Sequence, residues 1–384
     1  MKSSKDNKIS ILKRMDKILL ITSIVLFIFG LVMIFSSSNV ASYMKFNRAP
    51  YAFFLRQAIF LGFSLVLSFI IIRFHTKTYS YISWFAIIVV IILLIVVLIY
   101  GSLVNQARSW IEIISGVTIQ PSEFAKIVTI VWFASNYSIN KNDTKFKTFM
   151  LLLGIVGLIA VLIMLQPDLG TTCIYLGIVF LMFTALPISK KVKRNVILSV
   201  AGLGVIVIFL LMNNGVQVFF ERQLERFDYF NPCSEEKFLD SGSQVCNGYI
   251  AINNGGLLGK GLGNSTQKYL YLPEAYTDFI FAIVVEELGL IGGISVLILL
   301  FIILWRIFII GKYSKDDSSK LICYGVFWYL LLHIIINLGG VMGLIPLTGV
   351  PLPFLSYGGS FTMCLVVSLT IIQRIAIESK FANN

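Results

Sequence analysis

Residues 271–289 read YLPEAYTDFIFAIVVEELG, and this stretch combines an apolar run with four carboxylates. The run begins at Phe279, directly after Glu274 and Asp278, and Glu286 and Glu287 interrupt it. A charge near the centre of a bilayer costs roughly 2.5–3.5 kcal/mol on insertion scales. Carboxylates at the mouth of a membrane helix and inside it therefore indicate a helical membrane protein with a functional region at this point.

The composition places the whole chain in the membrane class. Its 384 residues are 57% hydrophobic, and the mean hydropathy is +0.88. The net charge of +12 comes mostly from short loops and tails, which is typical of contact with anionic lipid and does not indicate nucleic-acid binding. The basic start leads into an apolar run long enough to span, without a small-residue cleavage site, so we expect no removable signal peptide.

Hydropathy predicts an all-α polytopic protein with about ten transmembrane helices. The predicted spans lie near residues 18–36, 53–72, 81–100, 121–138, 148–165, 170–187, 195–213, 279–305, 321–342 and 360–376. We expect a basic cytoplasmic tail (1–17), a single transmembrane domain (18–376) and a second cytoplasmic tail (377–384).

Loop charges predict the orientation of the chain. Lysine and arginine are concentrated in the N-terminal tail and in alternate loops, so the positive-inside rule places both termini in the cytoplasm. The same rule places four segments outside: 101–120, 166–168, 214–278 and 343–359. The unusual polar motifs all fall in or beside these outer segments.

The long extracellular loop between the seventh and eighth predicted spans, 214–278, is too long for a plain connector. Its part 216–230, VQVFFERQLERFDYF, predicts an amphipathic helix that lies on the membrane surface or packs on the other spans. Residues 253–265, NNGGLLGKGLGNS, predict a flexible or tightly turned loop that could serve as a lid. If the loop is outside the cell, Cys233 and Cys246 could form a disulfide.

Two motifs lie at the start of the fourth predicted span. In NQARSWIEI, Arg108 and Trp110 could bind a phosphate beside an apolar or sugar face, or could simply anchor the chain at the interface. In IQPSEFAKI, Glu123 and Lys126 are three residues apart and could pair along a helix. Alternatively, Lys126 could face an interior cavity and meet an anionic substrate.

For two further motifs, both a structural and a functional interpretation are possible. In LQPDLGTT, Asp168 is placed to cap the next helix, although it could also organise a cation. In PLTGVPLPFLSYGGSFT, Ser356, Gly358 and Gly359 open the last span. A glycine-rich helix start with free N–H groups suits a pyrophosphate, whereas the other interpretation is a re-entrant turn with glycines for close packing.

Elimination points to a carboxylate as the general base. Of the two histidines, His75 falls in a cytoplasmic loop and His333 inside a span. Glu274 and Asp278 are four residues apart and would share a helix face, with Asp278 where water gives way to lipid. For Glu286 and Glu287, we expect pairing with a buried lysine or with backbone.

An ordered series of motifs closely resembles the SEDS family (shape, elongation, division and sporulation), which includes FtsW, RodA and SpoVE. The series is QARSWI, IQPSEFAK, LQPDLGTT, GGLLGKGLGNS, YLPEAYTDFIFAIVVEELGLIGG and PLTGVPLPFLSYGGS. The chain looks most like the FtsW branch, because Tyr276 stands where RodA members tend to carry a histidine. Two departures are Ser109, where many members have a basic residue, and Gln106, where many have glycine.

The resemblance implies a peptidoglycan glycosyltransferase that polymerises lipid II at the outer face of the bacterial plasma membrane. It implies a class B penicillin-binding protein and other divisome membrane proteins as partners, with no nucleic acid. By motif match, Asp278 is the catalytic residue. The substrate-binding residues expected on the same basis are Arg108, Trp110, Glu123, Lys126, Gln166, Asp168, Lys268, Glu274, Ser356, Gly358 and Gly359.

We expect a divalent cation, Mg²⁺ or Mn²⁺, with unknown ligands, and no organic cofactor. Three alternatives stay open at this point: a flippase for lipid-linked precursors, a scaffold that only recruits the penicillin-binding protein, and a polymerase for elongation or sporulation instead of division. Against the flippase, the polar groups gather on one face, and no internal repeat is evident.

Overall fold

The computed structural model describes residues 13–104, 107–114, 117–139, 146–213, 232–234 and 242–381. Helices dominate these ranges. In chain order the elements are α1 (Lys17–Met44), α2 (Ala52–Ile71), a 3₁₀ turn (Thr76–Thr78), α3 (Tyr79–Tyr100), β1 (Ser102–Val104), β2 (Ala107–Ile114), β3 (Val117–Ile119), α4 (Pro121–Ile139), α5 (Phe146–Met164), α6 (Leu169–Ala185), α7 (Lys190–Asn213), α8 (Ser243–Gly255), α9 (Ile280–Tyr313), α10 (Asp317–Val341) and α11 (Gly359–Phe381).

Each predicted span coincides with one of these helices. Six of the described helices are long and apolar enough to cross a membrane: Lys17–Met44, Ala52–Ile71, Thr76–Tyr100, Ile280–Tyr313, Asp317–Val341 and Gly359–Ser379. Helix α11 lies at the centre of the bundle, since 94% of its apolar window is buried inside the protein, against 11% for α2. The count of ten crossings, the side of each terminus and the division into tails and one domain stay predictions.

Side-chain caps fix the starts of several helices. Asp168 caps α6 by accepting a hydrogen bond from the Thr171 N–H at 3.1 Å, which confirms the predicted capping role. Asp16 caps α1 in the same way, and it also pairs with Arg306 near the end of α9. Its backbone N–H donates to Gln373 of α11 at 2.8 Å. One aspartate thus connects α1, α9 and α11 at the end of the bundle where α1 begins.

A small antiparallel sheet, β1-β2-β3, occupies the predicted outer segment 101–120. Ser102 pairs with Trp110, and Glu112 pairs with Thr118. The prediction of an all-α fold missed this sheet, because a strand of eight residues between two long apolar helices gives a weak signal. The sheet leads through Gln120 directly into α4.

Helix α9 is broken at Gly289, where φ is +72° and ψ is −179°. The glycine-rich residues 256–261 fill the break with their own backbone. The hydrogen bonds run from the Lys260 N–H to the Glu286 carbonyl (3.0 Å), from the Gly261 N–H to the Glu287 carbonyl (2.9 Å), from the Leu290 N–H to the Gly256 carbonyl (2.9 Å) and from the Ile291 N–H to the Leu257 carbonyl (3.3 Å). The glycine-rich segment is therefore a tightly turned loop docked on α9, and its service as a lid stays a prediction.

Helix α8 packs closely along the first half of α9. A Cβ at Gly255 would lie 2.0 Å from the Val285 carbonyl oxygen, and a Cβ at Gly248 would lie 2.9 Å from the Phe279 ring. A disulfide joins Cys246 of α8 to Cys233, as the sequence allowed. The predicted amphipathic helix at 216–230 lies outside the described residues.

The break in α9 generates a stability prediction. We expect Gly289→Ala to lower the melting temperature of the purified protein by about 5 °C or more, because a Cβ there would lie 2.2 Å from the Leu257 carbonyl oxygen and φ is +72°. Gly62→Ala in α2 is the matched control, since its Cβ would meet nothing within 4 Å. Thermal unfolding in detergent measures both variants, and equal melting temperatures would contradict a tightly docked loop.

Candidate active site

Asp278 lies in a series of turns immediately before α9, which begins at Ile280. The Phe279 N–H donates to the Glu274 carbonyl at 3.1 Å, a bond that reaches back five residues where an α-helix reaches back four. The interpretation that Glu274 and Asp278 share a regular helix face was therefore wrong. The Glu274 carboxylate instead accepts a hydrogen bond from Thr277 Oγ1 at 2.7 Å, and Asp278 is half-buried.

Three successive carbonyls, those of residues 276–278, each accept a hydrogen bond from a different donor. The donors are the Tyr357 N–H (2.9 Å), Ser356 Oγ (2.7 Å) and Asn337 Nδ2 (2.8 Å), respectively. Tyr357 and Ser356 belong to the SYGG turn, residues 356–359, and Asn337 belongs to α10. The backbone that carries Asp278 is consequently fixed in orientation by long-range contacts.

An aromatic cluster supports the same turn. Phe53 of α2 contacts the rings of Tyr276 and Tyr357 at centroid distances of 4.7 and 5.0 Å. Burial raises the pKa of the Tyr276 hydroxyl above its usual range. Tyr276 therefore serves here as a packing residue beside Asp278.

The start of α11 is closely packed. A Cβ at Gly359 would lie 2.5 Å from the ring of Phe60, and the Gly358 N–H donates to Gln57 Oε1 at 3.2 Å. The Gln120 N–H donates to Ser360 Oγ at 2.9 Å, which joins the sheet segment to α11. Close packing of the glycines is thus present, and phosphate binding at this helix start stays a prediction.

Lys126 forms a buried ion pair with Glu123, as the spacing allowed, at 2.8 Å. Its ammonium also donates to Nε2 of His333 at 3.0 Å. The sequence excluded His333 as an outer base and gave it no other role, although an ionisable residue inside a span is itself a signal of function. Contact between Lys126 and an anionic substrate stays a prediction.

Asp168 and Gln166 differ in their surroundings. Asp168 Oδ2 accepts a hydrogen bond from Gln120 Nε2 at 3.1 Å, so the α6 cap contacts the residue that precedes α4. Gln166 is fully buried, and its amide donates toward the Leu94 carbonyl of α3 at 3.5 Å. Both residues belong to the LQPDLGTT motif, but Asp168 contacts the residue before α4, whereas Gln166 contacts α3.

Lys268 lies in a buried ion pair with Glu287, at 3.2 Å, and only 2% of its side chain is exposed. Glu287 also accepts a hydrogen bond from Ser36 of α1 at 2.7 Å. The resemblance implied substrate contact for Lys268, whereas this geometry makes the lysine the partner of a membrane carboxylate. The pairing has a physical reason, because an unpaired carboxylate in α9 would be far more costly than a paired one. Contact between Lys268 and substrate stays a prediction.

Glu286 is likewise buried, and its carboxylate has several hydrogen-bond partners. Its carboxylate accepts hydrogen bonds from the Thr266 N–H at 3.1 Å and Thr266 Oγ1 at 2.7 Å, and it pairs with Lys260 at 3.2 Å. The expected pairing of Glu286 and Glu287 with lysine and backbone is confirmed. These carboxylates therefore hold residues 260–268 against α9.

The remaining expected contacts concern the sheet and a cation. Arg108 and Trp110 both lie in β2, where Trp110 is half-buried and the Arg108 side chain is not among the described groups. Within the described ranges, no group of three or more His, Cys, Asp or Glu side chains could hold a metal ion.

Comparisons with known proteins all match the chain to one family. A family model for FtsW, RodA and SpoVE, described as cell cycle protein, matches residues 16–381. The chain is 34% identical to the probable peptidoglycan glycosyltransferase FtsW of Bacillus subtilis, over 97% of this chain and 93% of that protein. It is 36% identical to stage V sporulation protein E of the same organism, over 95% and 98%, respectively.

Two solved structures share the fold. One is a chain of a peptidoglycan synthase complex described as coordinating polymerization and crosslinking; its TM-score is 0.73 at 22% identity, over 95% of this chain and 98% of that one. The other is the rod shape determining protein RodA of Thermus thermophilus, with a TM-score of 0.65 at 21% identity, over 95% and 97%.

The Lys268–Glu287 pair generates a second stability prediction. We expect Lys268→Met alone to destabilise the protein by about 3–5 kcal/mol, since it leaves a buried carboxylate without its cation. The double variant Lys268→Met/Glu287→Gln should recover a large part of that loss.

Thermal unfolding of both variants beside Lys320→Met, an exposed lysine, provides the check. A single variant as stable as the Lys320→Met control would show that the pair is not energetically coupled.

Proposed function

The chain belongs to the FtsW/RodA/SpoVE family, and from this premise we propose that it is a peptidoglycan glycosyltransferase that polymerises lipid II. One observation carries the proposal: a half-buried carboxylate, Asp278, stands at the mouth of α9 on a backbone that three long-range hydrogen bonds hold in place. A general base requires such a fixed position relative to its substrate. The relatives named as probable peptidoglycan glycosyltransferases support the same reaction.

The protein is a multi-pass membrane protein, and we infer that its active site faces the outside of the bacterial plasma membrane. The basic loops and the tail from Lys2 to Lys17 supply the argument through the positive-inside rule. The contacts of Asp16 with Arg306 and Gln373 gather at the opposite end from Asp278. Lipid II would then be met at the outer leaflet.

In the proposed reaction, Asp278 takes the proton from the 4-hydroxyl of the acceptor sugar as that oxygen attacks the anomeric carbon of the donor. A new glycosidic C–O bond forms while the bond from the anomeric carbon to the pyrophosphate oxygen breaks. The electron pair leaves with undecaprenyl pyrophosphate. Attack from the face opposite the leaving group inverts the anomeric centre.

The leaving pyrophosphate requires positive charge or N–H donors. Arg108, Trp110 and the α11 start at Gly358 and Gly359 are our candidates for contact with the phosphates and the sugar. Contact at Gly358 would require its N–H to exchange Gln57 for a phosphate oxygen. Lys126 is a candidate of a different kind, because Glu123 already neutralises much of its charge. A divalent cation would depend on phosphate oxygens of the substrate, since the described residues include no group of three or more side chains that could hold it.

We propose division as the cellular role, with a class B penicillin-binding protein and other divisome membrane proteins as partners. The similarity to FtsW proteins from several bacteria supports this role. The fold shared with a chain of a peptidoglycan synthase complex supports a crosslinking partner. A sporulation role is the alternative that a specific observation favours, because stage V sporulation protein E is 36% identical.

The third prediction tests the base. With purified lipid II, Mn²⁺ and a cognate class B penicillin-binding protein, the wild type should produce glycan ladders. We expect Asp278→Asn to reduce polymerisation by about 100-fold or more, because an amide cannot accept the hydroxyl proton. Asp317→Asn, the same substitution at the opposite end of the molecule, should polymerise like wild type.

Ladders of equal yield from wild type and Asp278→Asn would remove Asp278 from the role of base. If folded wild type with its partner made none, the polymerase proposal would fail. Leaflet labelling of lipid II in liposomes would then separate a flippase from a scaffold, which moves no lipid.

A further inference from the structure

We propose that His333 and Asn337 are positioning residues that hold the proline loop, residues 346–353, against Asp278 and so set where its carboxylate can stand. The proposal rests on the proposed function, because its main readout is glycan polymerisation. Neither side chain is assigned to the reaction itself.

The proline loop cannot hold itself in place by regular backbone bonding. Pro351 and Pro353 have no N–H group to donate, and Pro346 adds a third such position. The Leu352 carbonyl accepts a hydrogen bond from the nearby Ser356 N–H, whereas the Val350 and Pro351 carbonyls have their hydrogen-bond partners on α10. The shape of this loop therefore depends on side chains that reach it from outside.

Two side chains on one face of α10 supply those donors. His333 and Asn337 are four residues apart, so they point in the same direction from the helix. Nδ1 of His333 lies 3.2 Å from the Pro351 carbonyl oxygen, and Asn337 Nδ2 donates to the Val350 carbonyl at 2.8 Å. Consecutive carbonyls of the loop are thus held by consecutive turns of one helix.

The proton arrangement on His333 follows from its two neighbours. A carbonyl oxygen can only accept, so Nδ1 must carry the hydrogen that points to Pro351. Nε2 is then the acceptor for the Lys126 ammonium, 3.0 Å away. The buried Glu123–Lys126 pair is in this way connected through one imidazole to the backbone of the proline loop.

Asn337 joins the proline loop to Asp278 directly. Its Nδ2 donates both to Val350 and to the carbonyl of Asp278, each at 2.8 Å. An amide nitrogen carries two hydrogens, one for each acceptor. The side chain is 4% exposed, so water does not compete for either bond. One amide therefore fixes the distance between the loop and the residue proposed as the base.

Gly349 is the residue of the proline loop that faces the Asp278 carboxylate. Its φ is +73°, and a Cβ at this position would lie 3.4 Å from Asp278 Oδ2. On the other side of the loop, a Cβ at Gly170 in α6 would lie 2.9 Å from the Thr348 carbonyl oxygen. The loop thus lies between α6 and Asp278, and a methyl group added at Gly349 would be in van der Waals contact with the Asp278 carboxylate.

The fourth prediction uses a matched pair of glycines. Gly349→Ala and Gly263→Ala place a Cβ at similar φ values, +73° and +83°, but Gly263 has nothing within 4 Å of its Cβ. Both variants carry the same backbone strain, so only the contact with Asp278 differs. Because the added methyl group would contact Asp278 Oδ2, we expect Gly349→Ala to lower kcat for lipid II polymerisation by roughly 5- to 10-fold, with KM changed less than about threefold. Gly263→Ala should keep wild-type kinetics.

A second pair of variants tests Asn337 itself. Asn337→Leu has a similar size but donates no hydrogen bond, and we expect it to lower kcat in the same way as Gly349→Ala. Asn337→Gln retains the amide and should restore part of the rate. Melting temperatures and size-exclusion profiles are recorded for each variant, so that kcat is compared per folded molecule.

The outcomes separate this proposal from the function on which it rests. If the wild type makes no glycan, both fail. If the wild type is active and Gly349→Ala matches Gly263→Ala, the positioning proposal is overturned while the polymerase stands. A change in KM alone would also overturn the positioning proposal, since it would show that the variant alters substrate binding and leaves the placement of Asp278 unchanged.

Discussion

The exchange of backbone hydrogen bonds at the break in α9 is the contact on which the packing of the glycine-rich loop and α8 against α9 depends. A helix interrupted inside an apolar environment must find new partners for the freed N–H and C=O groups, because lipid supplies none. Residues 256–261 provide those partners, and Gly289 permits their approach because it has no Cβ. This docking fixes one end of residues 262–279, the segment that leads through Asp278 to the start of α9.

The buried carboxylates of α9 need partners for the same reason. Glu286 and Glu287 would be costly in α9 if they were alone, and each meets a lysine together with hydroxyl or backbone donors. Such networks contribute little net stability but strongly disfavour alternative packings, since any other arrangement leaves a charge unpaired. Glu286 and Glu287 are therefore structural, and Asp278 at the mouth of the helix is the carboxylate proposed as the general base.

The site itself is assembled from segments distant in the chain. Residues 276–278 offer carbonyls, and the SYGG turn and α10 provide the donors. A base built in this way is placed by backbone and buried side chains, which move less than an exposed carboxylate on a flexible loop. This is consistent with a reaction in which two large lipid-linked sugars must be aligned beside one carboxylate.

The sequence alone determined the features that depend on local pattern. Apolar runs predicted the helices, the spacing of Glu123 and Lys126 predicted their pairing, and the LQPDLGTT motif predicted the cap at Asp168. The ordered motifs were sufficient to identify the family.

Only the tertiary structure decided the features that depend on contacts across the chain. These are the sheet at 102–119, the turns that separate Asp278 from α9, the pairing of Lys268 with Glu287, and the link from His333 to the proline loop. Spacing along a helix is fixed by 3.6 residues per turn and can be read from neighbours. The partner of a buried lysine or histidine is chosen by the three-dimensional packing of the helices, which places side chains hundreds of residues apart within hydrogen-bond distance.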